Sequence, residues 1–185
     1  MVKLMNPSKD IACAGRLVPD EPFPPYAFVP GRYPHPTSDP RGHSYGVNQA
    51  LSAKVDPDRW QECRPYLYGI DLFNGGYFWE SHVAWEGLWM ACGRKGVVAD
   101  FLKGLIKLAA AGVKALEVTP EGVHSHSGRA AELWRSVSRS LEADDATFMG
   151  FRIEVLICLA ETIQQNGWPS QWPLLVPIKD HRPID

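Results

Sequence analysis

The 185-residue chain lacks an apolar run long enough to span a bilayer; its longest apolar segments are broken by Gly, Lys or Glu. Its first twenty residues hold no sustained apolar stretch and meet Pro7 early, so a secretory leader is not expected. Charge of one sign is also scarce. Nineteen Lys and Arg face 21 Asp and Glu, for a formal net charge of −2 and a pI near 6.3. No five like charges run together. Nucleic acid is therefore not expected as a partner. A membrane surface is not expected either, because no helix offers it one strongly cationic face. The four cysteines, Cys13, Cys63, Cys92 and Cys158, form no C-x-x-C pair. They read as free thiols of a cytoplasmic protein. Three catalytic signatures are missing: the G-x-S-x-G elbow, the G-x-x-x-x-G-K-[ST] loop and H-E-x-x-H.

Where proline is scarce is as informative as where charge is. Nine of the 16 prolines precede residue 56 and four follow Trp168, whereas Pro65 and Pro120 are the two between Asp58 and Gly167. Proline removes a backbone donor and clashes with the preceding helical turn. Long helices are thus confined to the middle of the chain. Three regions follow: an extended arm over 1–54, a helical bundle over 55–167 and an irregular tail over 168–185. The arm carries Phe23, Tyr26, Phe28, Tyr33 and Tyr45 between its prolines. An arm so rich in aromatics is expected to be ordered by contact, either with the body or with a partner subunit. The second case would make the protein a homo-oligomer.

The middle reads as about five helices, and the fold class as all-α. Asp56 can cap the first, with Pro57 at its first position. Trp60, Cys63, Leu67, Ile70 and Phe73 form its apolar stripe, which Pro65 can split into a turn and a helix. Asn74-Gly75-Gly76 ends it. A second helix covers about 77–90 and is closed by Gly93-Arg94-Lys95-Gly96. A third opens near Asp100 and runs to about Glu117, with Lys103, Lys107 and Lys114 on a narrow stripe of an otherwise apolar surface. Its Ala109, Ala110, Ala111 and Gly112 allow a neighbouring helix to come close. The lysines face water or form an anion-attracting rim. Ser125 or Ser127 is expected to open the fourth helix after a turn at Thr119–Gly122. The fifth is expected over about 147–165. No alternating strand of useful length is apparent, though 174–178 is β-like.

The second helix holds the stretch WESHVAWEGLW, residues 79–89, with three of the seven tryptophans. Residues four apart share a helix face, so His82 and Glu86 lie together, while Glu80 falls near the opposite side. Apolar residues on two sides place His82 and Glu86 inward or in a cleft, and a buried Glu86 requires a partner. That partner is His82, a lysine or arginine from another helix, or a divalent metal such as zinc, iron or manganese. A metal would need a further ligand, for which His124 and His126 are candidates, as are His35 and His43 in the arm.

The run DLFNGGYFWESHVAWEGLWMAC followed by DFLKGLIKLAAAGVKA resembles the DUF309 family of helical proteins. The matching residues are Phe73, Asn74, Gly76, Phe78, Glu80, His82, Glu86 and Trp89, then Phe101, Leu102, Gly104, Leu105, Ile106 and Ala109. The resemblance covers about residues 70–141 and implies a compact helical bundle with Glu80, His82 and Glu86 as a polar cluster. It brings no established reaction. Two positions depart from the family pattern: Val83 stands where a Glu follows the His, and Lys107 stands where the family carries Gln. Two functions remain open. One is a helical module that binds a partner or self-associates around a buried His–Glu cluster. The other is a metal-dependent hydrolase with His82 and Glu86 as ligands, His124 or His126 completing the site, and Glu80 as the general base.

Overall fold

The computed structural model describes residues 15–47, 53–141 and 146–178; Cys13 lies outside them. Among the described residues the chain is helical, with one two-stranded hairpin. A 3₁₀ turn over Pro57–Glu62 is capped by the Asp56 carboxylate, which accepts the Asp58 N–H. It leads into α1 (Arg64–Asn74), with Pro65 in the first turn, where its missing N–H costs nothing. Then follow α2 (Phe78–Ala91), α3 (Val97–Leu116), α4 (Pro120–Leu141) and α5 (Ile153–Asn166). Each helix packs on the next, so α3 lies between α2 and α4. The strands β1 (Thr147–Phe148) and β2 (Phe151–Arg152) pair antiparallel. Met149 and Gly150 turn between them with φ of 46° and 85°, the positive pair that a tight hairpin requires.

Two corrections concern helix starts. The fourth helix begins at Pro120 rather than at Ser125 or Ser127. The Thr119-Pro120-Glu121 start signal outweighs the Gly and Ser content of the next turns. His124 and His126 therefore sit on a helix, not in a turn. The fifth helix begins at Ile153, because 147–152 form the hairpin. Residues 174–178 lie in no strand.

The core repeats one device. The Trp85 indole lies on Gly69 and donates its N–H to the Tyr66 carbonyl at 3.2 Å. The Trp134 indole lies on Gly104 and donates to the Phe101 carbonyl at 3.2 Å. In each case a Cβ on the glycine would stand 2.3 Å from the indole nitrogen. Glycine there lets two large rings enter between helices with their polar atoms satisfied. The expected close approach at Gly112 is also present, with the Phe78 ring of α2 over it.

The described parts of the arm and of the tail are both tied to α1. Asn74 accepts the Leu175 N–H at 2.7 Å and donates to the Leu175 carbonyl at 2.9 Å, and Trp172 donates to the Asn74 carbonyl at 3.1 Å. The arm has no helix or strand among its described residues. It lies on the body of its own chain, with Val18, Phe28 and Val29 buried.

Candidate functional site

Helix α2 carries two different polar constellations. The first lies under the arm. Glu80 is 6% exposed, and its Oε1 accepts the Phe28 N–H at 2.9 Å. The same oxygen meets His43 Nε2 at 3.1 Å. His43 Nδ1 lies 2.8 Å from the Ser44 hydroxyl. With the ring proton on Nε2 facing the carboxylate, Nδ1 accepts from Ser44 and the network is complete on that side. Glu80 Oε2 is buried and has no hydrogen-bond partner among the described residues. Burial pushes the Glu80 carboxyl above its ordinary range, while Phe28 and His43 pull it back.

One turn before the end of α1, Asp71 does the same work. It is 3% exposed, and its two oxygens accept the N–H groups of Leu17 (2.9 Å) and Val18 (2.8 Å). The Arg16 guanidinium lies 3.6 Å away. A cavity of about 490 Å³ opens beside Asp71, between Arg16, Trp60, Leu67 and Val176. Sequence reasoning missed Asp71. Its signal is a lone carboxylate inside an otherwise apolar and aromatic helix, YLYGIDLF.

The second constellation is open. His82 Nε2 and Glu86 Oε2 are 3.6 Å apart, an ion-pair separation longer than a direct hydrogen bond, with side chains 31% and 35% exposed. Of the two placements expected for this pair, inward or in a cleft, the fully inward one is not found: the buried positions of α2 are Phe78, Glu80, Ser81, Trp85 and Leu88, so the buried carboxylate is Glu80. Glu86 pairs with His82 and lies in the field of Lys103. Lys103 also stands over the Trp89 ring, its Nζ 3.9 Å from the centroid, with Arg94 5.4 Å from the same ring.

This face continues across α3 to α4. Burial, with Lys103 and Lys107 added, pushes the His82 pKa down against the pull of Glu86. Burial followed by Lys107, Lys114 and His82 pushes His126 down as well. Lys107 thus disfavours the charged form of both imidazoles, and it has no hydrogen-bond or ion-pair partner among the described residues. Lys114 is tied to Glu117 at 2.6 Å.

The structure brings His82, Glu86 and His126 onto this one face but leaves Glu80 on the other. His124 is exposed and engages the Gln164 carbonyl through Nδ1 at 3.0 Å. His35 is held in the arm, where its Nδ1 accepts from Thr37 and Ser38, and it packs on Phe28 and Trp79. Among the described residues no three His, Cys, Asp or Glu side chains converge as a metal-ligating group. No described helix is long and apolar enough to cross a membrane.

Residues 66–125 match the family described as Domain of unknown function (DUF309), in agreement with the motif resemblance. The matched segment, about a third of the chain, contains Asp71, Glu80, His82, Glu86, Lys103 and Lys107 and excludes the arm. No curated protein matches the chain.

Proposed function

We propose that this DUF309-containing protein is a noncatalytic helical module that binds an acidic protein partner on the face formed by His82, Lys103, Lys107 and His126. The observation that carries this reading is Lys107, a cation without a hydrogen-bond or ion-pair partner among the described residues, which acts on His82 and His126, both with disfavoured charged forms. An incoming carboxylate would relieve both costs, pairing with the lysine and stabilising the imidazolium forms. Trp89, with Lys103 above it, offers an apolar platform beside the charges. Self-association through the arm and a cytoplasmic location belong to the same reading. The location is supported by Cys63, Cys92 and Cys158, all free thiols. The hydrolytic alternative requires a third ligand beside His82 and Glu86, which the described side chains do not gather.

The test is a titration of the full chain with a Glu-rich peptide, followed by Trp fluorescence. Binding is expected to weaken with salt and to strengthen as pH falls below the ordinary His value of 6.5, since both histidines are held under it. Lys103→Glu with Lys107→Glu should remove it. Binding that persists in that double variant would sink the reading.

A further inference from the structure

Arm, body and tail, far apart in sequence, meet around the cavity of about 490 Å³ beside Asp71. Arg16 comes from the arm, Trp60 from the 3₁₀ turn, Leu67 and Asp71 from α1, and Leu175 and Val176 from the tail. Trp60 and Leu175 are buried and Leu67 packs on the core, so the inner wall is apolar. Gln61 and Val176 also line the cavity but are exposed, and they mark its mouth. The polar end is Arg16 against Asp71. Each Asp71 oxygen already accepts an arm N–H, from Leu17 and from Val18. The Arg16 head is fixed on three sides. It donates to the Glu21 carbonyl, its Cζ stands 4.1 Å from the Phe23 ring centroid, and its Nε lies 3.6 Å from Asp71 Oδ2. That last separation is too long for a hydrogen bond. Arg16 Nε is buried and has no hydrogen-bond partner among the described residues. A buried donor without an acceptor is costly, and this one belongs to a restrained side chain that lines a cavity.

We infer that this cavity binds a small uncharged molecule with an apolar body and a carbonyl or amide oxygen, and that the oxygen accepts from Arg16 Nε. The acceptor is set by the donor that lacks one. Neutrality is set by the ion pair beside it: Asp71 disfavours an anion at Nε, and Arg16 disfavours a cation at Asp71. The apolar body is set by Trp60, Leu67 and Leu175. The volume falls within the range of small-molecule sites, about 300–1,000 Å³, and far exceeds the ~30 Å³ share of one water. A ligand here touches arm, α1 and tail together, so its binding stabilises the packing of both segments on the body. The site shares no residue with the lysine face of α2, α3 and α4, and it stands whether or not that face binds an acidic partner.

The test uses N-benzylacetamide, phenylacetate and benzylammonium, which share a ring and differ in charge. Each is titrated into the isotope-labelled full chain while the Arg16 Nε–H resonance is followed by NMR. Millimolar N-benzylacetamide should shift that resonance and bind at least tenfold tighter than either ion. Arg16→Met should weaken its binding at least tenfold. Val176→Trp, at an exposed position that folding does not depend on, should narrow the mouth and weaken binding to a similar degree. An Arg16 resonance that millimolar N-benzylacetamide leaves in place overturns the site. Equal binding of the three compounds overturns the role of Nε and with it the ligand class. Binding that Val176→Trp leaves unchanged puts the compound elsewhere on the protein and overturns the cavity as its site.

Discussion

Two histidine–glutamate pairs flank α2, and they differ in almost everything but composition. His43 and Glu80 are 3.1 Å apart with side chains 5% exposed. His82 and Glu86 are 3.6 Å apart and about a third exposed. The first pair joins two distant parts of the chain under a cover of aromatic rings. The second lies within one helix, at the margin of solvent, in the field of two lysines. The contrast shows that helix periodicity assigns neighbours correctly but not burial. His82 and Glu86 share a face as their spacing requires. The carboxylate that is sealed from water is the one the arm covers.

The largest effect that can test this contrast comes from the carboxylates that hold the arm. Asp71→Ala strands two backbone N–H groups and the Arg16 guanidinium, and should lower stability by about 3 kcal/mol. Glu80→Ala strands the Phe28 N–H and His43, for about 2 kcal/mol. Glu86→Ala, by comparison, should stay within ~0.5 kcal/mol, as expected at a partly exposed site. Urea unfolding of the three variants reads all of these. Equal losses at Glu80 and Glu86 would erase the distinction between the two edges of α2.

A smaller effect separates the edges by the sign of their pH dependence. His82 is held below its ordinary value of 6.5, so the folded state binds fewer protons there than the unfolded chain. Its contribution is full above pH 6.5 and is lost as pH falls through the folded pKa. Glu80 is held above its ordinary value of 4.5. Its contribution is full below pH 4.5 and is lost as pH rises through the folded pKa. His82→Gln should therefore flatten the stability profile just below pH 6.5, and Glu80→Gln should flatten it above pH 4.5. Stability measured from pH 4 to 8 for both variants checks this. A single variant that flattens both windows would show that the edges titrate as one unit.

Most of the architecture can be read from proline and periodicity. The split at Pro65, the break at Asn74-Gly75-Gly76 and the span of α3 all follow from local chemistry, because those signals act within a few residues. The start of α4 was obscured by composition: Gly122, Ser125, Ser127 and Gly128 resemble a turn. Tertiary contacts explain them instead. Gly122 packs on the Lys114 stem, Gly128 on the Gln164 side chain, and the Ser127 hydroxyl donates to the Val123 carbonyl at 2.7 Å. The candidate site was half legible. The lysine stripe and the His82–Glu86 pairing are properties of single helices and their spacing. The seal over Glu80 and the role of Asp71 depend on residues 37–54 positions away along the chain, where no period connects them.

The smallest effect sharpens the comparison furthest, because it isolates the pairs from their surroundings. A double-mutant cycle between residues 82 and 86, with alanine at each, should give a coupling of about 0.2–0.5 kcal/mol, the range of exposed pairs one helical turn apart. The same cycle between residues 43 and 80 should exceed ~1 kcal/mol, since a hydrogen bond to a charged group out of contact with water is worth about 1.5–3 kcal/mol. The cycle cancels each side chain's separate packing loss, which a single substitution at Glu80 cannot do. Adding 0.5 M salt should shrink the first coupling and leave the second nearly unchanged, because screening reaches exposed charges far more than sealed ones. A 43–80 coupling as small and as salt-sensitive as the 82–86 coupling would mean that Glu80 holds the arm through the Phe28 N–H alone, with His43 a bystander.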